Sequence, residues 1–72
     1  MMKAEYKRIA RAAAQVAVKK VPYPAGGLIE NEIHNHLVEK VGMDPESDLI
    51  FNVADHALEI AGILLGVGPD TL

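Results

Sequence analysis

The chain places apolar side chains at spacings of three and four in three separate stretches. In residues 2–20 this spacing puts six of them on one face of a helix: Tyr6, Ile9, Ala10, Ala13, Val16 and Ala17. Pro22 and Pro24 follow, and proline lacks the main-chain N–H group that continues a helix. We therefore predict a first helix over residues 2–20 and a linker over residues 21–27.

The second stretch repeats a large aliphatic side chain at every fourth position. Ile29, Ile33 and Leu37 follow this interval, and Gly42 comes shortly after them. Glycine readily adopts the left-handed conformation with which many helices end. We therefore predict a second helix over residues 28–41.

The third stretch opens with Asp44 and Pro45, a pair typical of an N-cap followed by proline in the first turn. Ser47 is a competing cap. We predict a third helix over residues 45–65 and a short tail over residues 66–72. The predicted fold is all-α, a single domain that forms a small three-helix bundle over the whole chain and contains no strand.

The third helix is apolar around most of its circumference. At about 100° per residue, its polar side chains form one strip: Asp48, Asn52, Asp55 and Glu59. The remaining arc covers about 250°, against the ~100° that a surface helix normally buries. One side of the arc carries Leu49, Ile50, Val53, Ala54, Ala57, Ile60, Ala61 and Leu64, and the other side carries Phe51, Leu58, Gly62 and Leu65. The two other helices can each cover one sector of it. The arc includes more apolar surface than the two other helices easily cover, and we call the uncovered part the apolar surplus.

The small size of the chain makes this surplus costly. A chain of 72 residues hides only about 60–65% of its unfolded surface, and without cysteine no disulfide compensates. Each large apolar side chain left in water forfeits roughly 1.5–3 kcal/mol. We therefore predict a homodimer through the third helix, with Leu28 near an interface of Phe51, Leu58, Ile63, Leu65 and Val67. The alternative is that the linker and the tail fold over the surplus.

Charge is divided unevenly along the chain. Residues 1–20 carry six cations and one acid, a net of +5, and residues 21–72 carry one cation and nine acids, a net of −8. The basic face of the first helix comprises Lys3, Lys7, Arg8, Arg11 and Lys19, and the acidic face of the third comprises Asp48, Asp55 and Glu59. The basic face is compatible with nucleic-acid binding, although the acidic face would repel phosphates and argues against a helix-turn-helix. The acidic face alternatively suits a small inhibitor, of the viral antagonist type, that blocks a nucleic-acid-binding enzyme.

Three histidines are the candidates for metal binding. His34 and His36 are two residues apart, which on a helix separates their directions by about 160°, so they do not bind one ion together. Each has a glutamate four residues earlier, and His56 has Glu59 three residues later. Such pairs supply two ligands of a zinc site or form weak helical ion pairs. We predict no metal and no cofactor.

The sequence offers little machinery for catalysis. Cysteine is absent, and the hydroxyl of Ser47 lies in a helix-cap context without a neighbouring base. No segment approaches the ~20 apolar residues of a membrane span, and charges interrupt the N-terminal segment where a signal peptide would be apolar. We therefore predict a non-catalytic, cytoplasmic protein-interaction module that binds itself and a second protein. We expect no small-molecule substrate and no membrane association. We also expect a protein partner rather than a nucleic-acid partner.

Overall fold

Three helices make up the computed structural model, which describes residues 3–68 and residue 72. Helix α1 spans Ala4–Lys20, and helix α2 spans Gly26–His36 and continues as a π-helical turn over Leu37–Val41. Helix α3 spans Asp48–Leu64. The described residues contain no strand, and the three helices pack into a compact globule. The all-α, three-helix prediction is confirmed, and the dimer stays a prediction.

Alanine supplies half of the core. Six fully buried alanines lie on α1 and α3, at positions Ala10, Ala13, Ala14, Ala17, Ala57 and Ala61. The large, fully buried side chains are Ile29, Ile33 and Leu37 from the second helical stretch and Ile50 and Val53 from α3. Small side chains let helices approach closely, but each buries little apolar area. The core therefore holds few large side chains.

The helix α1 ends at Lys20, where the proline pattern places its end. The main-chain N–H of Val21 still donates to the carbonyl oxygen of Ala17 at 2.8 Å. Val21 is buried although the sequence assigned it to the linker. At the other end the predicted helix included Met2, which lies outside the described residues.

The second helical stretch starts and ends differently from its prediction. It starts at Gly26, two residues before the predicted start, and its last turn is π-helical. The N–H groups of Gly42 and Met43 both donate to the carbonyl oxygen of Leu37. Gly42 has the predicted left-handed conformation, with φ of 84°. The wider turn lets the buried Leu37 carbonyl accept both hydrogen bonds at the end of the helix.

The predicted start of α3 is wrong by three residues. The helix begins at Asp48, and Ser47 is its N-cap, with its Oγ accepting a hydrogen bond from the N–H of Ile50 at 3.4 Å. Asp44 instead closes a turn before the helix. Its Oδ1 accepts from the N–H of Glu46 at 2.9 Å, and its carbonyl oxygen accepts from the Ser47 hydroxyl at 2.8 Å. A side chain that satisfies its own turn competes with helix formation, which explains the later start.

A left-handed glycine ends α3. Gly66 has φ of 77°, its N–H donates to the Ile63 carbonyl at 3.0 Å, and the N–H of Val67 donates to the Gly62 carbonyl at 3.1 Å. This pair of bonds is the Schellman arrangement. Leu72 then packs against the core cluster next to Gly26. Residues 69–71 of the predicted tail lie outside the described residues.

Candidate functional site

Large apolar side chains are more numerous on the surface than in the core of the described residues. Five are fully buried, whereas seven are exposed: Tyr23, Leu28, Val41, Leu49, Phe51, Ile63 and Leu64. Four of the seven lie on α3. This helix therefore carries the apolar surplus that its sequence predicts.

The predicted interface residues divide into exposed and partly buried ones. Phe51 and Ile63 are 56% and 67% exposed. Leu58 and Leu65 are partly buried and pack against the core, and Val67 is also partly buried. Only Phe51 and Ile63 of this set are therefore open to the solvent over most of their surface.

Two exposed residues were missed by the sequence reasoning. Leu49 and Leu64 were not among the predicted interface residues, but they are 36% and 49% exposed. They lie in the first and last turns of the helix. Their position along the helix axis could have indicated this exposure. Residues in the first and last turns of a helix have adjacent turns in one direction only, so fewer neighbours cover them.

The two most exposed predicted interface residues do not share one face. Phe51 and Ile63 are twelve residues apart, which amounts to a rotation of about 120° and a rise of about 18 Å along an α-helix. Asp55, on the polar strip, lines a groove on each side of α3. Phe51 and Ile63 therefore lie in two separate exposed apolar areas of α3.

The first area lies in a groove between α2 and α3, which we call the α2/α3 groove. It has a volume of about 260 Å³ and is lined by Glu30, Asn31, His34, Phe51, Ala54, Asp55 and Leu58. The four lining residues of α3 follow the i, i+3, i+4, i+7 spacing of one helical face. This spacing places Phe51, Asp55 and Leu58 along the same opening, which Glu30 of α2 also lines.

A second groove, which we call the α1/α3 groove, lies between the start of α1 and α3 and is distinct from the area around Ile63. Its volume is about 550 Å³, and its lining residues are Lys3, Tyr6, Leu49, Asn52, Asp55, His56 and Glu59. Asp55 and Glu59 of the predicted acidic face meet here, and Asp48 is exposed outside it. Among the described residues that line it, Lys3 is the only lysine or arginine, beside the two carboxylates.

The three histidines lie in three different grooves. His34 lines the α2/α3 groove, His56 lines the α1/α3 groove, and His36 lines a small groove between α1 and α2. His56 Nδ1 lies 4.0 Å from Glu59 Oε2. Within residues 3–68 and 72, no three His, Asp or Glu side chains form a group that could hold a metal ion.

The basic face of α1 is not neutralised by the rest of the described chain. Its five cations, Lys3, Lys7, Arg8, Arg11 and Lys19, are all exposed. The ion pairs formed among described residues are Lys20–Glu32 at 3.4 Å and His56–Glu59, and neither includes a member of the basic face. Asp48 and Asp55 of the acidic face also form no ion pair there. The charge division seen in the sequence therefore persists on the folded surface.

The hydroxyl of Ser47 is committed to the helix cap and to the Asp44 carbonyl. None of the helices that the structure describes combines the length and the apolar content needed to cross a bilayer.

Comparison of the chain with protein-family models, with curated proteins and with solved structures found no match. The exposed apolar areas and the charged faces of the helices are therefore the features that bear on the function of this chain.

Proposed function

We propose that this chain is a non-catalytic, cytoplasmic protein-interaction module that associates with a second copy of itself through the apolar residues that α3 leaves exposed. The observation that carries this proposal is the exposure of Phe51 and Ile63 on a helix that also supplies much of the core. A monomeric domain rarely leaves large apolar areas uncovered unless they bind something. A second protein partner would use the charged faces that remain free.

The size of the chain limits the strength of this association. Its accessible surface is 4615 Å², and a standard interface takes about 800 Å² from each partner. Such an interface would cover roughly a sixth of the surface, and the exposed side chains form two smaller areas. We therefore expect a weak, reversible dimer with a dissociation constant of about 1–100 µM.

Sedimentation velocity across a dilution series tests the proposal. The wild-type mass should rise above the monomer mass of 7.7 kDa as the concentration increases. Phe51→Glu and Ile63→Glu each place a charge in one apolar area, and both positions are exposed enough to preserve the fold. Asn52→Glu is the matched control, because it adds the same charge to the same helix at a position that is already polar.

We expect at least one of the two apolar variants to weaken association by about tenfold or more, while Asn52→Glu leaves it close to wild type. A wild-type chain that stays monomeric at about 1 mM, well above the expected dissociation constant, would overturn the proposal. So would two apolar variants that associate as the wild type does.

The unpaired basic face supports a second candidate function, nucleic-acid binding through α1. Lys7, Arg8 and Arg11 are exposed within four residues of one another, and clustered cations bind phosphates in a salt-dependent manner. Fluorescence anisotropy with a generic duplex and a generic single strand tests this function. Absence of binding at low salt would eliminate it.

The acidic side of α3 supports a third candidate, an inhibitor that occupies the nucleic-acid site of an enzyme. Asp55 and Glu59 line one groove beside a single lysine, and a negative surface suits a site built for phosphates. Inhibition of a generic nuclease that the variant Asp55→Asn no longer produces would support it.

A further inference from the structure

We propose that the α2/α3 groove of one copy receives an arginine, Arg8 or Arg11, from the basic face of a second copy. This inference rests on the proposed self-association and names the contact that drives it. The groove supplies an aromatic ring, aliphatic side chains and two carboxylates, and α1 supplies arginines that form no ion pair among the described residues.

The groove has the chemistry that an arginine side chain needs. Phe51 is 56% exposed and lines the groove with Ala54 and Leu58, while Glu30 and Asp55 add carboxylates on α2 and α3. A guanidinium group stacks on aromatic rings and pairs with carboxylates, and its aliphatic stem packs on apolar surface. The groove has a volume of about 260 Å³, just below the ~300–1,000 Å³ of drug-sized ligand sites. This volume suits a single side chain.

The arginines are available on the opposite partner. Arg8 and Arg11 are exposed, and neither forms an ion pair among the described residues. They lie three residues apart, and side chains at this spacing share one side of a helix. Both are therefore presented together as a pair of cations.

The structure favours a second copy as the source of the arginine. The described residues that line the α2/α3 groove all belong to α2 and α3, so the basic face of the same chain does not enter it. Each copy carries both a groove and an arginine pair, and a two-fold axis lets each arginine pair face the other groove. Net charge of opposite sign on the two surfaces steers the copies together.

Salt dependence distinguishes this contact from a purely apolar dimer. The Debye length falls from about 10 Å at 0.1 M salt to about 3 Å at 1 M. If the arginine contact drives association, the dissociation constant should rise by at least about tenfold over this range. Association that is unchanged by salt would overturn the inference while leaving the proposed self-association intact.

Charge reversal identifies the residues. The double variant Arg8→Glu/Arg11→Glu should weaken self-association by at least about tenfold, whereas Lys19→Glu with Gln15→Glu, on the same helix, should change it much less. Glu30→Arg should weaken it as well, and Glu46→Arg, which makes the same charge change outside the groove, should not. Phe51→Ala removes the ring and should also weaken it.

Mixing the reversed variants provides the decisive result. The acidic α1 of Arg8→Glu/Arg11→Glu can pair with the arginine that Glu30→Arg places in the groove, and the remaining wild-type surfaces match each other. An equimolar mixture should therefore recover association that neither variant shows alone. A mixture that stays monomeric, when the wild type dimerises, would overturn the inference. A wild type that never associates would overturn the proposed function instead.

Discussion

The first residue of α2, Gly26, lies against the end of the chain. A Cβ atom at position 26 would lie 2.6 Å from the carbonyl carbon of Leu72 and 3.3 Å from its carbonyl oxygen. A Cβ atom at Gly27, the next residue of the same helix, would meet no neighbouring segment within 4 Å. The substitutions Gly26→Ala and Gly27→Ala therefore make the same chemical change in two different surroundings.

The expected effects have opposite signs. Gly27→Ala should stabilise the fold by about 0.4–1 kcal/mol, because alanine restricts the unfolded chain more than glycine does. Gly26→Ala gains the same entropy but brings two carbons about 1 Å closer than the ~3.5–4.0 Å of a good contact. The neighbour is main chain rather than a flexible side chain, so Leu72 must move away from the core. Overpacking of this kind costs about 1–3 kcal/mol, which leaves Gly26→Ala less stable than Gly27→Ala by that amount.

Urea unfolding, followed by circular dichroism at low protein concentration, measures the difference without a contribution from association. A chain that lacks residues 69–72 provides the second comparison. In that background Gly26→Ala should recover the stabilisation of Gly27→Ala, because the coupled partner is gone. Equal stabilisation by both substitutions in the full chain would refute the contact between Leu72 and the start of α2.

Four further substitutions, one of them a control, test the core and the helix ends by the same unfolding assay. Leu37→Ala should cost about 2–5 kcal/mol because Leu37 is fully buried, whereas Leu28→Ala, at an exposed position, should stay within ~0.5 kcal/mol; equal losses would contradict the assigned core. Gly66→Ala should cost about 1–2 kcal/mol because φ is positive there, and an unchanged stability would argue against the left-handed end. Ser47→Ala should cost about 0.5–2 kcal/mol through loss of the cap hydrogen bond to Ile50, and a neutral result would assign the cap elsewhere.

The sequence predicted the helices well because their signals are local. The spacing of Ile29, Ile33 and Leu37 and the stops at Lys20 and Gly42 depend on residues a few positions apart. The start of α3 was harder, since the sequence offers two caps within one turn. Each forms a local hydrogen bond in the structure, and their ranking depends on how the whole turn closes.

The candidate site was only partly predictable because a helical wheel describes one helix by itself. It correctly identified α3 as too apolar for two neighbours to cover, and it placed Phe51 and Ile63 among the uncovered residues. The helical wheel did not show which sector of α3 each neighbouring helix covers, or how far along the axis of α3 that coverage extends. It therefore did not show that Leu49 and Leu64 are exposed, or that Phe51 and Ile63 lie in two separate areas.

The alanine-rich core explains why these areas exist. Ala10, Ala13 and Ala14 on α1, and Ala57 and Ala61 on α3, are fully buried, so the two helices that contact each other most extensively meet largely through small side chains. These small side chains bury little apolar area each, while larger side chains of α3 such as Phe51 and Ile63 are exposed. The bundle therefore gains limited stability from its own core, and any partner that covers Phe51 or Ile63 adds burial that the single chain lacks. The proposed association would therefore also stabilise the fold, because a partner that binds only the folded chain shifts the equilibrium toward the folded state.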